Sequence, residues 1–95
     1  MYREKSICVV VPAYNEEQLI GQVIDTMPEF VDCIAVVEDC GSDRTVDIVQ
    51  AYAAKPGSRV HLIRHAENKG VGGAIVTGYA YARDKRYDVT VVMAG

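Results

Sequence analysis

Four short apolar runs, with a helix-patterned segment between each pair, constrain the fold more than any other feature of this chain. Ser6–Val11 reads SICVVV and is ended by Pro12, and Cys33–Val37 reads CIAVV and closes on Glu38 and Asp39. Arg59–Arg64 alternates imperfectly through Val60, Leu62 and Ile63, and Asp88–Met93 carries Val89, Val91 and Val92. A strand with little polar character must be covered on both faces, which asks for a parallel sheet sandwiched by helices. The intervening segments supply those helices. Glu16–Met27 places Leu19, Ile20, Val23, Ile24 and Met27 on one face. Arg44–Ala54 turns Val46, Val49 and Ala53 inward, and Val71–Arg83 carries Ala74, Ile75, Gly78 and Ala82, small enough to lie close on a sheet. The predicted order is β-α-β-α-β-α-β with right-handed crossovers. The predicted strand order is 3-2-1-4, with a topological switch between the first and fourth strands.

Composition narrows the class. Ninety-five residues, 49% apolar and 24% charged, fit one small globular domain. A net charge of −3 with scattered Lys and Arg offers no basic stripe for nucleic acid. Cys8, Cys33 and Cys40 form no CxxC pair and read as reduced thiols, two of them in strands, which suits a cytoplasmic setting. No apolar run approaches the roughly 18–20 residues of a membrane span. Ala94 and Gly95 follow the fourth strand, where α/β proteins carry ligand sites, so the chain reads as the amino-terminal part of a larger site.

The loops after the first three strands hold the chemistry and belong on one rim of the sheet. The first is Pro12-Ala13-Tyr14-Asn15-Glu16-Glu17. Its helix-start N–H groups are expected to be free for an anion, and Tyr14 offers a ring to a flat base. Asn15 is expected to cap the helix, with Gln18 reaching back as in a capping box. The second loop starts with two adjacent carboxylates, Glu38 and Asp39. Asp39 can only accept, so it suits a pyrimidine imide N–H, a guanine edge or a ribose hydroxyl. Neighbours on extended backbone point to opposite faces, which argues against an acid/base pair from the two. Asp43 reads as a cap of the second helix. The third loop, Asn68-Lys69-Gly70-Val71-Gly72-Gly73-Ala74, opens a helix but matches neither the dinucleotide nor the P-loop fingerprint. Its glycines have a plain alternative use in close helix–sheet packing, and Lys69 in a solvated surface charge. His61 and His65 are assigned no metal role.

Taken in order, Val9–Glu17, Val36–Thr45 and Asn68–Ala74 with Gly78 resemble the amino-terminal half of an inverting family 2 glycosyltransferase with the GT-A fold, a Rossmann-like nucleotide-binding architecture. The likeness is nearest to the dolichyl-phosphate mannose synthase and polyprenyl-phosphate sugar transferase branch. It implies a UDP- or GDP-sugar donor and a lipid-phosphate or saccharide acceptor. It implies nucleotide contacts from Pro12, Ala13, Tyr14, Asn15 and Glu16, from Glu38 and Asp39, and from Asn68, Lys69 and Gly70. Glu38 departs from the family's aspartate, and Cys40-Gly41 from its glycine and serine. Mg²⁺ or Mn²⁺ is implied in the full-length enzyme, through a motif after Gly95, with no metal held by this chain. The piece alone is then expected to be inactive, and the full protein to be cytoplasmic, with membrane association possible in that branch. An alternative reading is a non-catalytic nucleotide-binding or assembly module that pairs through its last strand, as a homo-oligomer for example.

Overall fold

The computed structural model describes residues 1–93; Ala94 and Gly95, the two small residues after the last strand, lie outside them. The elements are β1 (Ile7–Ala13), α1 (Ile20–Asp25), β2 (Cys33–Glu38), α2 (Thr45–Ala53), β3 (Val60–Arg64), α3 (Gly70–Asp84) and β4 (Val89–Val92). They build a four-stranded sheet in the order β3-β2-β1-β4, as the alternation predicts. All three strand pairs are parallel, with Val9 opposite Ile34 and Val91, and Val36 opposite Leu62.

The apolar runs split by parity between two helical layers. Ile7, Val9 and Val11 of β1 and Ile34 and Val36 of β2 pack with Ile20 and Ile24 of α1 and Val49 of α2. Cys8, Val10, Cys33, Ala35 and Val37 face the other way, toward Ala74 and Ala82 of α3. The α3 layer is thin where Gly78 meets β1. A Cβ there would stand 2.9 Å from Val10 Cγ2, 3.0 Å from its Cβ, and closer still to Cγ1. The helix can approach the central strand only because that Cβ is missing.

Strand β1 runs through Pro12, although the expected strand ended at Val11. Ala13 O accepts from Asp39 N on the β2 side, and Val10 O accepts from Met93 N on the β4 side. By that alternation Pro12 faces the β4 side, where the pairing stops at Val10–Val92. Its missing N–H therefore deprives no neighbour.

Helix α1 is shorter than the periodicity suggests. Residues 16–19 form a turn, with Leu19 and Ile20 N–H both donating to Glu16 O. Asn15 has φ of 52° and does not cap α1, which has no side-chain cap bond at its start. Its Oδ1 accepts instead from Ser42 N (2.8 Å) and Asp43 N (3.3 Å) of the second loop. That competing use explains why the capping-box expectation fails.

Strand β4 lies at one edge of the sheet. Val89 and Val91, on the α1–α2 side, remain 39% and 43% exposed, because neither helix reaches over β4. Among the described residues no helix is long and apolar enough to cross a membrane.

Candidate nucleotide-binding cleft

The carboxyl ends of β1 and β2 and the start of α3 enclose a cleft of about 370 Å³. Pro12, Ala13, Tyr14, Glu16, Asp39, Asn68, Gly70, Val71 and Ala74 line it. All three loops singled out in the sequence therefore contribute to one concavity. Tyr14 stands at its mouth with half of its surface exposed.

Asp39 follows β2 and is 4% exposed. Its Oδ1 accepts from His65 Nδ1 and from Lys69 N, and its Oδ2 from Gly70 N, each at 2.8 Å. The His65 hydrogen bond, followed by the Lys69 N–H, holds this carboxyl below the usual aspartate range. The last two donors are helix-start groups of α3, whose N-cap residue, Lys69, makes no side-chain cap bond. Asp39 thus fixes the start of α3 against the sheet while lining the cleft. Gly70 N also approaches Asn68 Oδ1 at 2.9 Å, and Gly70 has φ of 78°, a conformation that favours glycine.

The second carboxylate points the other way, as strand alternation requires. Glu38 is 2% exposed and accepts from the N–H groups of Cys40 and Gly41, closing a tight loop behind the cleft. Each member of the adjacent acidic pair is thus neutralised by its own set of donors. Asn15 and Glu38 support the rim and are not among the cleft's lining residues, while Lys69 contributes its backbone N–H to Asp39.

The expectation of free N–H groups at the first loop is not met. Glu16 N donates to Thr45 Oγ1 at 2.8 Å, and Glu17 N to Asp43 Oδ2 at 3.0 Å. Asp43 Oδ1 also accepts from Thr45 N, so this one side chain serves the turn before α1 and the start of α2. The cap reading of Asp43 holds, with the turn before α1 added to its role.

Two polar residues went unrecognised in the sequence. His65 is 9% exposed and bridges Asp39 to Thr77, whose Oγ1 lies 2.8 Å from His65 Nε2. Thr77 Oγ1 also lies 3.0 Å from Gly73 O, so its one proton serves either that carbonyl or the imidazole. A signal for His65 did exist. It is the first residue after β3, as Asp39 is after β2, and Glu38 and Arg64 pair in register. Val71 and Ala74, expected only in the glycine-rich turn and in helix packing, both line the cleft.

A family model for "Glycosyl transferase family 2" matches residues 8–93. A UDP-N-acetylglucosamine–dolichyl-phosphate N-acetylglucosaminyltransferase of Methanococcus voltae is 32% identical over 93% of this chain and 40% of its own length. An undecaprenyl-phosphate mannosyltransferase of Micrococcus luteus is 34% identical over 92% of this chain and 36% of its own. The chain therefore spans less than half the length of these relatives. Among solved structures, the mannosyltransferase PcManGT from Pyrobaculum calidifontis, in complex with GDP-Man and Mn²⁺, superposes with a TM-score of 0.74 at 26% identity. That match covers 82% of this chain and 24% of the mannosyltransferase. TarS of S. aureus shares the fold, with a TM-score of 0.77 at 22% identity over 94% of this chain and 16% of TarS. With the parallel β3-β2-β1-β4 sheet, these matches establish a GT-A-type nucleotide-binding architecture, and the chain belongs to glycosyl transferase family 2.

Proposed function

We propose that this chain supplies the nucleotide-binding part of an inverting transferase that moves a sugar from a UDP- or GDP-sugar to an acceptor such as a polyprenyl phosphate. The observation that carries the reading is the shared cleft. Tyr14, with an exposed ring, and Asp39, an ionised and nearly buried acceptor, line one concavity beyond the carboxyl ends of a parallel sheet. A ring supplies stacking to a flat base and a carboxylate reads a donor on its edge. Pro12, Ala13, Glu16, Asn68 and Gly70 complete the wall, with Asn15, Glu38 and Lys69 holding the loops that carry it.

The relatives' names support a polyprenyl-phosphate acceptor, and the solved mannosyltransferase complex supports a divalent cation. Among the described residues no group of three or more His, Cys, Asp or Glu side chains converges to hold a metal. On this reading residues 1–93 contribute recognition and orientation of the nucleotide. The 95-residue chain is accordingly expected to bind nucleotide without turnover.

Titration with UDP and GDP, followed by thermal shift, tests the reading. At a ligand concentration near a hundredfold over its dissociation constant, stabilisation should reach about 2.7 kcal/mol. Asp39→Asn should weaken binding while the chain remains folded by circular dichroism. Failure of both nucleotides to shift the midpoint at millimolar concentration removes the cleft from nucleotide binding. Release of nucleoside diphosphate from a UDP- or GDP-sugar by the chain alone refutes the division of labour.

A further inference from the structure

The hydrogen-bond partners of Asp39 bear on which base the cleft accepts. An ionised carboxylate offers roughly four acceptor positions, two on each oxygen. His65 Nδ1 and Lys69 N fill both positions on Oδ1, and Gly70 N fills one on Oδ2. One position remains, on Oδ2. The two backbone donors come with the start of α3 and cannot be removed by a side-chain change. His65 is the one side-chain donor, and Thr77 Oγ1, 2.8 Å from its Nε2, holds it in place from behind.

We propose that His65 is a specificity-determining residue: by taking the second position on Asp39 Oδ1 it leaves one acceptor for the base, which suits uracil and disfavours guanine. This inference rests on the nucleotide-binding reading above. Uracil presents a single ring N–H between two carbonyls, so one acceptor satisfies it. Guanine presents a ring N–H and an amino group side by side, a two-donor edge that matches a carboxylate with one free position on each oxygen. With Oδ1 full, one of guanine's donors enters the cleft unpaired, and unpaired buried donors are what discriminate strongly between ligands. Cytosine and adenine turn a ring nitrogen lone pair toward the carboxylate and are disfavoured by repulsion. A uridine nucleotide is therefore the donor class that this chain's own residues select.

The test is a calorimetric titration of the 95-residue chain with UDP, GDP and CDP, repeated on His65→Ala, His65→Asn and Thr77→Val. The wild type should bind UDP at least about tenfold more tightly than GDP or CDP, the discrimination expected from one unpaired donor. His65→Ala vacates the Oδ1 position and should narrow the UDP-to-GDP ratio by about tenfold, with GDP improving relative to UDP. His65→Asn restores an N–H donor and should restore most of the ratio. Thr77→Val, which loosens the imidazole, should fall between. A merely structural role for His65 would lower both affinities together and leave the ratio unchanged, which overturns the assignment. Equal binding, or tighter GDP, in the wild type also overturns it while leaving nucleotide binding intact. No binding of any nucleotide sinks the underlying reading instead. If His65→Ala fails to fold, the wild-type ratio and the asparagine variant still decide.

Discussion

Gly78→Ala asks whether α3 truly rests on β1 through an absent side chain. The new Cβ would stand 2.9 Å from Val10 Cγ2 and closer to Cγ1. Val10 is fully buried in the central strand, and its β-branched side chain is stiff about χ1. Overpacking of this kind costs about 1–3 kcal/mol, and contact with three carbons of one rigid side chain argues for the upper end. Alanine recovers about 1 kcal/mol of helix propensity over glycine. The expected net loss is therefore about 2 kcal/mol, or a fall of roughly 8–16 °C in Tm for a domain of this size. Urea denaturation followed by circular dichroism should show a lower midpoint at unchanged slope. In a Val10→Ala background both γ-carbons are gone and only the 3.0 Å approach to Val10 Cβ remains, so the cost of Gly78→Ala should shrink markedly, with a coupling of about 1–3 kcal/mol across the double-mutant cycle. Gly72→Ala is the internal control. A Cβ at Gly72 meets nothing within 4 Å, so that change should stabilise by up to about 1 kcal/mol. If Gly78→Ala stabilises the wild type as Gly72→Ala does, the close approach of α3 is wrong. The placement of Lys69 and Gly70 N–H on Asp39 would be in doubt with it.

Other consequences follow from the same contacts. Glu38→Gln turns an amide donor toward the N–H groups of Cys40 or Gly41 in a buried place, and should cost about 1–3 kcal/mol by urea denaturation; an unchanged midpoint would show that Glu38 is solvated. Arg59 donates to the carbonyls of Met27, Pro28 and Val31, so Arg59→Met should lose about 1–3 kcal/mol, whereas a neutral result would mean water replaces it. Acid should destabilise the fold. Asp39 is depressed by His65 and the Lys69 N–H, Asp32 by the N-terminal ammonium and the Ile7 N–H, and Asp88 by the N–H and hydroxyl of Ser6. Their stabilisation is complete above the ordinary aspartate value of 3.8 and is lost as pH falls below it through the lower folded values. The urea midpoint should hold its carboxylate contribution down to about pH 5 and drop below about pH 4; a rise on acidification over that lower interval would contradict the assigned partners.

The sheet was legible because strand burial is written in local pattern. SICVVV and CIAVV have no polar face, so they had to lie inside, and the βα alternation then prescribed parallel pairing and the 3-2-1-4 order. Ala74, Gly78 and Ala82, four apart, announced a helix that lies close on the sheet, and all three are buried. The rim could be located as well, since each odd loop follows a strand. What the pattern could not convey was how the rim's polar groups share their hydrogen bonds. Asn15 looked like a cap for the helix beside it, yet it serves a loop 27 residues away, and α1 begins later as a result. Asp39 looked like a free acceptor, yet three of its positions are taken by residues 26, 30 and 31 places along the chain. Periodicity reports on neighbours within a turn or a pleat, where spacing alone decides who meets whom. The partners of Asp39, His65 and Asn15 depend on which strands lie side by side and in what register, and those distances come into being only when the sheet closes.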